Sequence, residues 1–413
     1  MSRAKLNGQN GFVKINGQTE AIIKFKETIE KGDLVTVKNN CSWDSIKKAP
    51  RVNEFASSGT LNAISFSPNG KYMAVCGSVG PYLFIYKIDN DVFTRIATSI
   101  NPGDTGNGCA FSADSKYLMF VTDSTPFQML YSIDAATDVF TQVSNPYTGS
   151  WAFACEFSPD GEMYAVAPTA SPYLAIYSVS ETNVYTKLAN PSPLPANNGN
   201  DIAFSGDGVY VALAGYNITT VNIYKIDKAL NTVTYVCSTA ISSTQGVCFS
   251  PDGNYLCIVH ASSPFFSVFK FDKVAKTLTK IANPAVLPAA YCSTCVFSPD
   301  GTKLFVTPNV SPYIHIYSLN KSTDVLTKLA NPTEMLAQIG TFAAIDNSGK
   351  YLGITCSFSR YPEVYKPATF VEEEVSKFKS KSETNNMDFV AFGYAKANGI
   401  ANELKKVYKF PMN

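Results

Sequence analysis

Through most of the chain, short apolar stretches alternate with polar turns, and the alternation keeps its phase over long distances. The phase is marked where an apolar stretch ends in Phe and runs into a tight turn. The copies are Phe66-Ser67-Pro68-Asn69-Gly70, Phe111-Ser112-Ala113-Asp114-Ser115, Phe157-Ser158-Pro159-Asp160-Gly161, Phe204-Ser205-Gly206-Asp207-Gly208, Phe249-Ser250-Pro251-Asp252-Gly253 and Phe297-Ser298-Pro299-Asp300-Gly301. A weaker seventh copy is Ile345-Asp346-Asn347-Ser348-Gly349. Successive anchors lie 45, 46, 47, 45, 48 and 48 residues apart, a period that belongs to arrays of one supersecondary unit. Within the turn, Pro fixes φ, Asp bonds its own backbone and Gly accepts φ > 0.

Each copy predicts the same four strands. One enters the anchor (Ala63 to Phe66) and a second leaves it (Tyr72 to Cys76). A third follows a Pro-aromatic loop (Tyr82 to Tyr86), and a fourth follows an Asp/Asn turn, as in Leu278-Thr279-Lys280-Ile281. Four short antiparallel strands repeated in seven copies predict an all-β protein built on a seven-bladed β-propeller. The seventh repeat stops after Glu363-Val364-Tyr365-Lys366. Its missing fourth strand stands ahead of the first repeat, where Ser45-Ile46-Lys47-Lys48-Ala49-Pro50 matches Thr279-Lys280-Ile281-Ala282-Asn283-Pro284. The N-terminal segment is therefore expected to close the last blade with a strand near 45–50, which removes an open sheet edge. On this reading the propeller spans 41–366. It is inserted in a small β domain whose halves are 1–40 and 367–413.

The repeats resemble WD-repeat-like and lactonase-like propellers, in which a Phe-Ser-Pro-Asp-Gly turn is common. Trp occurs only at 43 and 151, and no Gly-His or Trp-Asp pair punctuates the blades. The resemblance implies architecture and leaves activity to be argued from sites.

Charge divides the chain at the same boundaries. Residues 1–40 and 367–413 hold 24 of the 67 charged side chains, about 28% of their positions, against about 13% in 41–366; a soluble domain usually has about 25%. The net charge of +1 argues against a nucleic-acid binder or a protein that adheres to anionic membranes. No apolar run approaches the roughly 18 residues of a membrane span. Met1 to Lys14 has no apolar core of a secretion signal, so synthesis and folding in a cytoplasm are expected.

The flanks read as short strands at Phe12 to Ile15, Ala21 to Phe25, Leu34 to Val37, Phe389 to Ala395 and Leu404 to Tyr408. A short helix is expected over Phe370 to Lys381, with Val371, Val375 and Phe378 on one face and Glu372, Glu373 and Glu374 near its start. Lys31-Gly32-Asp33-Leu34-Val35, together with Phe392-Gly393-Tyr394-Ala395 and Gly399 to Leu404, resembles small β modules of tailed-bacteriophage virion and decoration proteins. Ala401-Asn402-Glu403 departs from the Ala-Gly-Glu form usual there. The resemblance implies a virion or tail-particle protein made in the host cytoplasm and present in many copies. It would be anchored to other virion subunits through Leu34, Val35, Phe392, Tyr394, Leu404 and Val407.

Catalytic chemistry is sparse. Cys109, Cys155, Cys248 and Cys295 sit one or two residues before an anchor, and Cys76, Cys257 and Cys356 lie in second strands, positions that suit buried thiols. Cys292 and Cys295 are spaced as C-x-x-C, but a strand turns residues three apart to opposite faces, so no metal site is expected. The two histidines, His260 and His315, read as packing groups, and the anchor aspartates as turn formers. No cofactor is implied. Aromatic residues form the one constellation of interest. Tyr82, Tyr173 and Tyr313 follow Pro in the loops between second and third strands, where blade packing also explains them. Trp151, Tyr147 and Tyr291 break the repeat in the loops that lead into blades. Both loop sets are expected on one face, where rings amid Asn, Ser and Thr suit a cell-surface glycan or a protein. The expectation is a non-enzymatic propeller displayed on a particle for binding or decoration. An intracellular propeller scaffold is the alternative, and a sugar-lactonase-like hydrolase the third reading.

Overall fold

The anchor turns fold as their residues dictate. In the third and fifth repeats, Ser158 and Ser250 Oγ donate to Asp160 and Asp252 at 2.6 Å and accept the N–H of Met163 and Tyr255 at 2.9 Å. Gly70, Gly161, Gly208, Gly253 and Gly301 stand at φ between 66° and 75°, where a side chain would be strained. In the seventh copy Asp346 replaces Ser, and its carboxylate accepts the Tyr351 N–H at 2.6 Å.

The computed structural model describes residues 6–7, 10–13, 21–24, 33–49, 52, 59–78, 80–96, 102–143, 149–179, 185–215, 219–359, 361–379, 389–391 and 408–410, with side chains between 46 and 367. Seven blades follow one another, each an antiparallel sheet read from the centre outward. Blade 1 is Leu61–Phe66, Tyr72–Gly77, Leu83–Asp89 and Val92–Arg95, and blade 2 is Gly106–Phe111, Tyr117–Thr122, Gln128–Asp134 and Val139–Val143. Blade 3 is Ala152–Phe157, Met163–Pro168, Ala175–Val179 and Tyr185–Lys187, and blade 4 is Asp201–Phe204, Tyr210–Ala214, Thr220–Asp227 and Thr232–Ala240. Blade 5 is Thr244–Phe249, Tyr255–His260, Phe266–Asp272 and Thr277–Lys280, and blade 6 is Cys292–Phe297, Lys303–Pro308, His315–Asn320 and Val325–Lys328.

Blade 7 joins Gly340–Ile345, Leu352–Cys356 and Glu363–Lys379 to Asp33–Lys48 from the other end of the chain, as the repeat count requires. Tyr365 pairs with Lys48 and Lys366 with Lys47, Ala49 N donates to Val364 O at 2.7 Å, and Lys48 meets Glu363 at 3.1 Å. The same two strands run on past the blade to Phe378 opposite Leu34. Phe389–Ala391 and Tyr408–Phe410 extend the sheet beyond them. The helix expected over Phe370 to Lys381 is therefore corrected: these residues continue the strand Glu363–Lys379. Pairing with Asp33–Lys48 satisfies backbone groups that would otherwise form an open edge, and it overrides the helical spacing of Val371, Val375 and Phe378. Of the expected anchoring residues, Phe392, Tyr394, Leu404 and Val407 lie outside the described residues. Leu34 and Val35 are described only as backbone.

Second strands such as Tyr72–Gly77, Met163–Pro168 and Tyr255–His260 are buried on both faces, so they are apolar without alternation. Among the described residues the core falls into clusters between adjacent blades. Tyr72 and Phe120 belong to the cluster that spans blades 1 and 2, Val259 and Leu304 to that of blades 5 and 6, and Phe305 and Tyr365 to that of blades 6 and 7. Each fully buried large side chain contributes on the order of 2 kcal/mol.

Polar seams on the anchor-turn face reinforce these contacts. Lys228 reaches Asp160 of the preceding blade, Lys273 reaches Asp207 at 2.8 Å and Lys321 reaches Asp252 at 2.9 Å. The turn aspartates therefore do more than shape turns. The Tyr351 hydroxyl of blade 7 donates to Asp91 of blade 1, beside Lys366 at 2.6 Å and Lys350 at 3.0 Å. Burial opposes ionisation of Asp91, but the hydrogen bonds from Lys366, Tyr351 and Lys350 outweigh it and hold its carboxyl well below the ordinary range.

Candidate functional site

The inner strands of all seven blades surround a central cavity of about 760 Å³. Backbone bonds from Ser78 to Thr60, Thr169 to Trp151, Ala261 to Ser243 and Asn309 to Tyr291 tie the loops after second strands to the residues leading into inner strands. Both loop sets therefore share one face, opposite the anchor turns, as expected. The channel mouth lies on that face.

Counting back from each anchor gives rings of equivalent positions. Four residues back stand Asn62, Asn107, Phe153, Asn200, Gln245, Ser293 and Thr341, and all of them line the cavity. Every one is polar except Phe153. In blades 7, 1 and 2 these side chains join neighbouring blades. Asn62 Nδ2 donates to Gly106 O at 2.8 Å, Asn107 Nδ2 donates to Ala152 O at 3.1 Å and Asp123 Oδ1 at 2.6 Å, and Thr341 Oγ1 donates to Leu61 O. In blades 4, 5 and 6 the side chains of Asn200, Gln245 and Ser293 make no hydrogen bond among the described residues, although they line the same cavity.

Six residues back stand Thr60, Thr105, Trp151, Asn198, Ser243, Tyr291 and Ile339. Trp151 packs edge-on against Phe153, with ring centroids 4.8 Å apart at 65°, and Tyr291 is 40% exposed. The arc from blade 3 to blade 6 thus runs from an aromatic pair, through Asn198, Asn200, Gln245 and Ser293, to a third aromatic residue, Tyr291.

Deeper in the channel, polar groups again join blades. One residue before the anchor, Ser65 Oγ accepts the Phe111 N–H at 3.4 Å, and Glu156 Oε2 accepts the Phe204 N–H at 2.8 Å. Three residues before the anchor of blade 4, Asp201 accepts the N–H of Val247 and of its own neighbour Ile202, both at 2.9 Å. Gly246 leaves room for this carboxylate, since a Cβ there would sit 3.2 Å from Asp201 Oδ2. Removal from water pushes Glu156 up to about 8 against the opposing Phe204 N–H, with the Asp201 charge adding to the rise. Burial likewise pushes Asp201 up to about 8. These two carboxyls were not singled out in the sequence, because each is the only acidic residue at its ring position and looks like any polar residue of a strand.

The other expected residues are placed as follows. Tyr82 and Tyr313 are half-buried and pack against the cores between blades 1 and 2 and between blades 6 and 7, which accords with a packing role. Tyr82 and Tyr173 stand at φ of 68° and 62°, and Tyr173 is half-buried. Tyr147 lies outside the described residues. His260 Nε2 meets Ser267 Oγ at 3.1 Å and His315 Nδ1 meets the Tyr317 hydroxyl at 3.2 Å, both in buried sites. Burial, with Lys328 nearby, lowers His315 to about 4. Both imidazoles serve as satisfied packing groups.

No family model matches the chain, and no curated protein is similar to it. Solved structures share its fold. A Kuenenia stuttgartiensis hydrazine synthase structure superposes with a TM-score of 0.58 at 16% identity, over 77% of this chain and 98% of that one. A proposed 6-phosphogluconolactonase from Bacteroides uniformis gives 0.58 at 15% identity, over 74% and 99%. A functionally unknown protein from Desulfotomaculum acetoxidans gives 0.52 at 14% identity, over 72% and 89%. At these identities the likeness carries the propeller architecture and nothing of activity.

Proposed function

We propose that this protein is a non-enzymatic propeller that binds a polyhydroxylated ligand, the exposed end of a glycan, across the channel mouth from blade 3 to blade 6. The supporting observation is the break in the polar ring at Phe153, backed by Trp151, next to amides and a hydroxyl that no seam employs. A sugar ring has an apolar C–H face and a rim of hydroxyls. It calls for a flat aromatic surface beside directional polar partners. Weak binding at one such mouth becomes strong when many copies act together. The ground for reading the terminal segments as a mount on a virion or tail particle is their sequence resemblance to tailed-bacteriophage β modules.

The test uses the two tryptophans. In a Trp43→Phe background, Trp151 is the sole indole, and its emission should shift when the matching glycan from a panel is added. Trp151→Ala should weaken binding about 30-fold, measured by calorimetry, without lowering Tm. Unchanged affinity in Trp151→Ala would refute the mouth as the site. Mass spectrometry of purified virions or tail particles should find the chain; absence there would favour the intracellular scaffold.

A hydrolase reading is favoured by one feature, the two carboxyls in the channel. Both already accept backbone N–H groups from the next blade, which suits a structural role. Turnover of a sugar lactone, lost in Asp201→Asn, would replace the non-enzymatic reading.

A further inference from the structure

The channel wall between blades 5 and 6 holds a feature that the mouth does not use. Cys248 lies in the inner strand of blade 5, Cys257 in its second strand and Cys295 in the inner strand of blade 6. Their sulfurs all lie within 4.8 Å of one another, and those of Cys248 and Cys295 are 3.3 Å apart. Among the described residues, no other three Cys, His, Asp or Glu donor atoms converge this closely. All three thiols are free. Cys257 is fully buried, Cys295 is 6% exposed, and Cys248 is half-buried; Cys248 and Cys295 line the cavity. Val259, Val268, Leu304 and Val306 belong to the same core cluster as Cys257 and Cys295, and Cys248 packs against it.

Three thiolates on a tetrahedral ion at about 2.3 Å stand about 3.8 Å apart. The observed sulfurs reach that arrangement by shifts of about 1 Å or less, within the range of rotamer adjustment. Thiolates select soft cations, and the apolar surroundings slow exchange with water. Cys292, the other half of the C-x-x-C spacing, is not one of the three. The convergence comes from neighbouring strands and the preceding blade.

We propose that Cys248, Cys257 and Cys295 form a three-thiolate site for a thiophilic d10 cation, Zn²⁺ or Cu⁺, whose fourth position opens to the central channel. Binding replaces the thiol protons, which pass to solvent, and involves no electron transfer.

Cadmium is the probe. Titrating Cd²⁺ into the reduced full-length protein should raise a thiolate-to-metal ultraviolet band that saturates at one ion per chain. Excess Zn²⁺, or Cu⁺ supplied as its acetonitrile complex, added before Cd²⁺ should reduce the band. Cys257→Ala and Cys295→Ala should each weaken binding by more than the roughly 10–100-fold that outer-shell changes produce. Cys237→Ala and Cys292→Ala should leave it unchanged. Because a buried substitution can unsettle the fold, a second measurement uses the native protein. Bound Cd²⁺ should shield Cys248, the half-buried member of the three, from iodoacetamide, located by peptide mass spectrometry. A missing band, a band that survives Cys257→Ala, or shielding confined to Cys76 and Cys109 would each overturn the proposal.

Discussion

The two sides of the channel mouth are built from the same repeat position yet do different work. In blades 7, 1 and 2, Thr341, Asn62 and Asn107 spend their hydrogen bonds on the next blade. In blades 4, 5 and 6, Asn200, Gln245 and Ser293 face the same cavity without doing so, and blade 3 puts Phe153 and Trp151 beside them. A ring of equal polar residues is an architectural device. This ring departs from itself over one arc, and that arc is where the proposed glycan site lies.

The largest expected effect tests whether the polar groups below the mouth are structural. Glu156 is raised to about 8, above its unfolded value, so folding binds its proton. That contribution is complete below about pH 4.5 and is lost as pH rises through about 8, several kcal/mol in all. Glu156→Gln should roughly halve the slope of Tm across that window, the remainder belonging to Asp201, which burial raises to a similar value. An unchanged slope would mean that the carboxyl is open to water and available for chemistry.

Next in size, Trp151→Ala should cost about 2 kcal/mol of glycan affinity, roughly 30-fold, with Tm unchanged. Asn107→Ala should do the reverse: it leaves Ala152 O without its partner and lowers stability by about 1–3 kcal/mol in denaturant titration, while glycan affinity holds. If Asn107→Ala weakened binding as much as Trp151→Ala, the two arcs would not differ. The smallest effects are expected at Asn200→Ala and Gln245→Ala, each lowering affinity by about 1 kcal/mol, roughly 5-fold, and stability by less than about 0.5 kcal/mol.

Much of this architecture is legible in the sequence because a repeat states its own rule several times. The anchor turns give the blade count, and the missing fourth strand after Lys366 gives the closure at Ser45 to Lys48. Trp151 and Tyr291 stand out for the same reason, as departures from a visible pattern. What escapes is whatever depends on a distant partner that no repeat announces. Val371, Val375 and Phe378 fit a helix face until Asp33–Lys48 is laid beside them. Glu156 and Asp201 occur once each at their positions and gain meaning only when the next blade presents Phe204 N and Val247 N. The thiols of Cys248, Cys257 and Cys295 belong to three strands of two blades, so no linear spacing announces them.

The central claim is that the aromatic arc, and not the whole ring, binds. A glycan array probed with the wild type, Trp151→Ala and Asn107→Ala tests it most directly. The predicted result is a defined set of glycans bound by the wild type and by Asn107→Ala and lost by Trp151→Ala. A folded wild type that binds no glycan, or a Trp151→Ala variant that binds the same set, would contradict it.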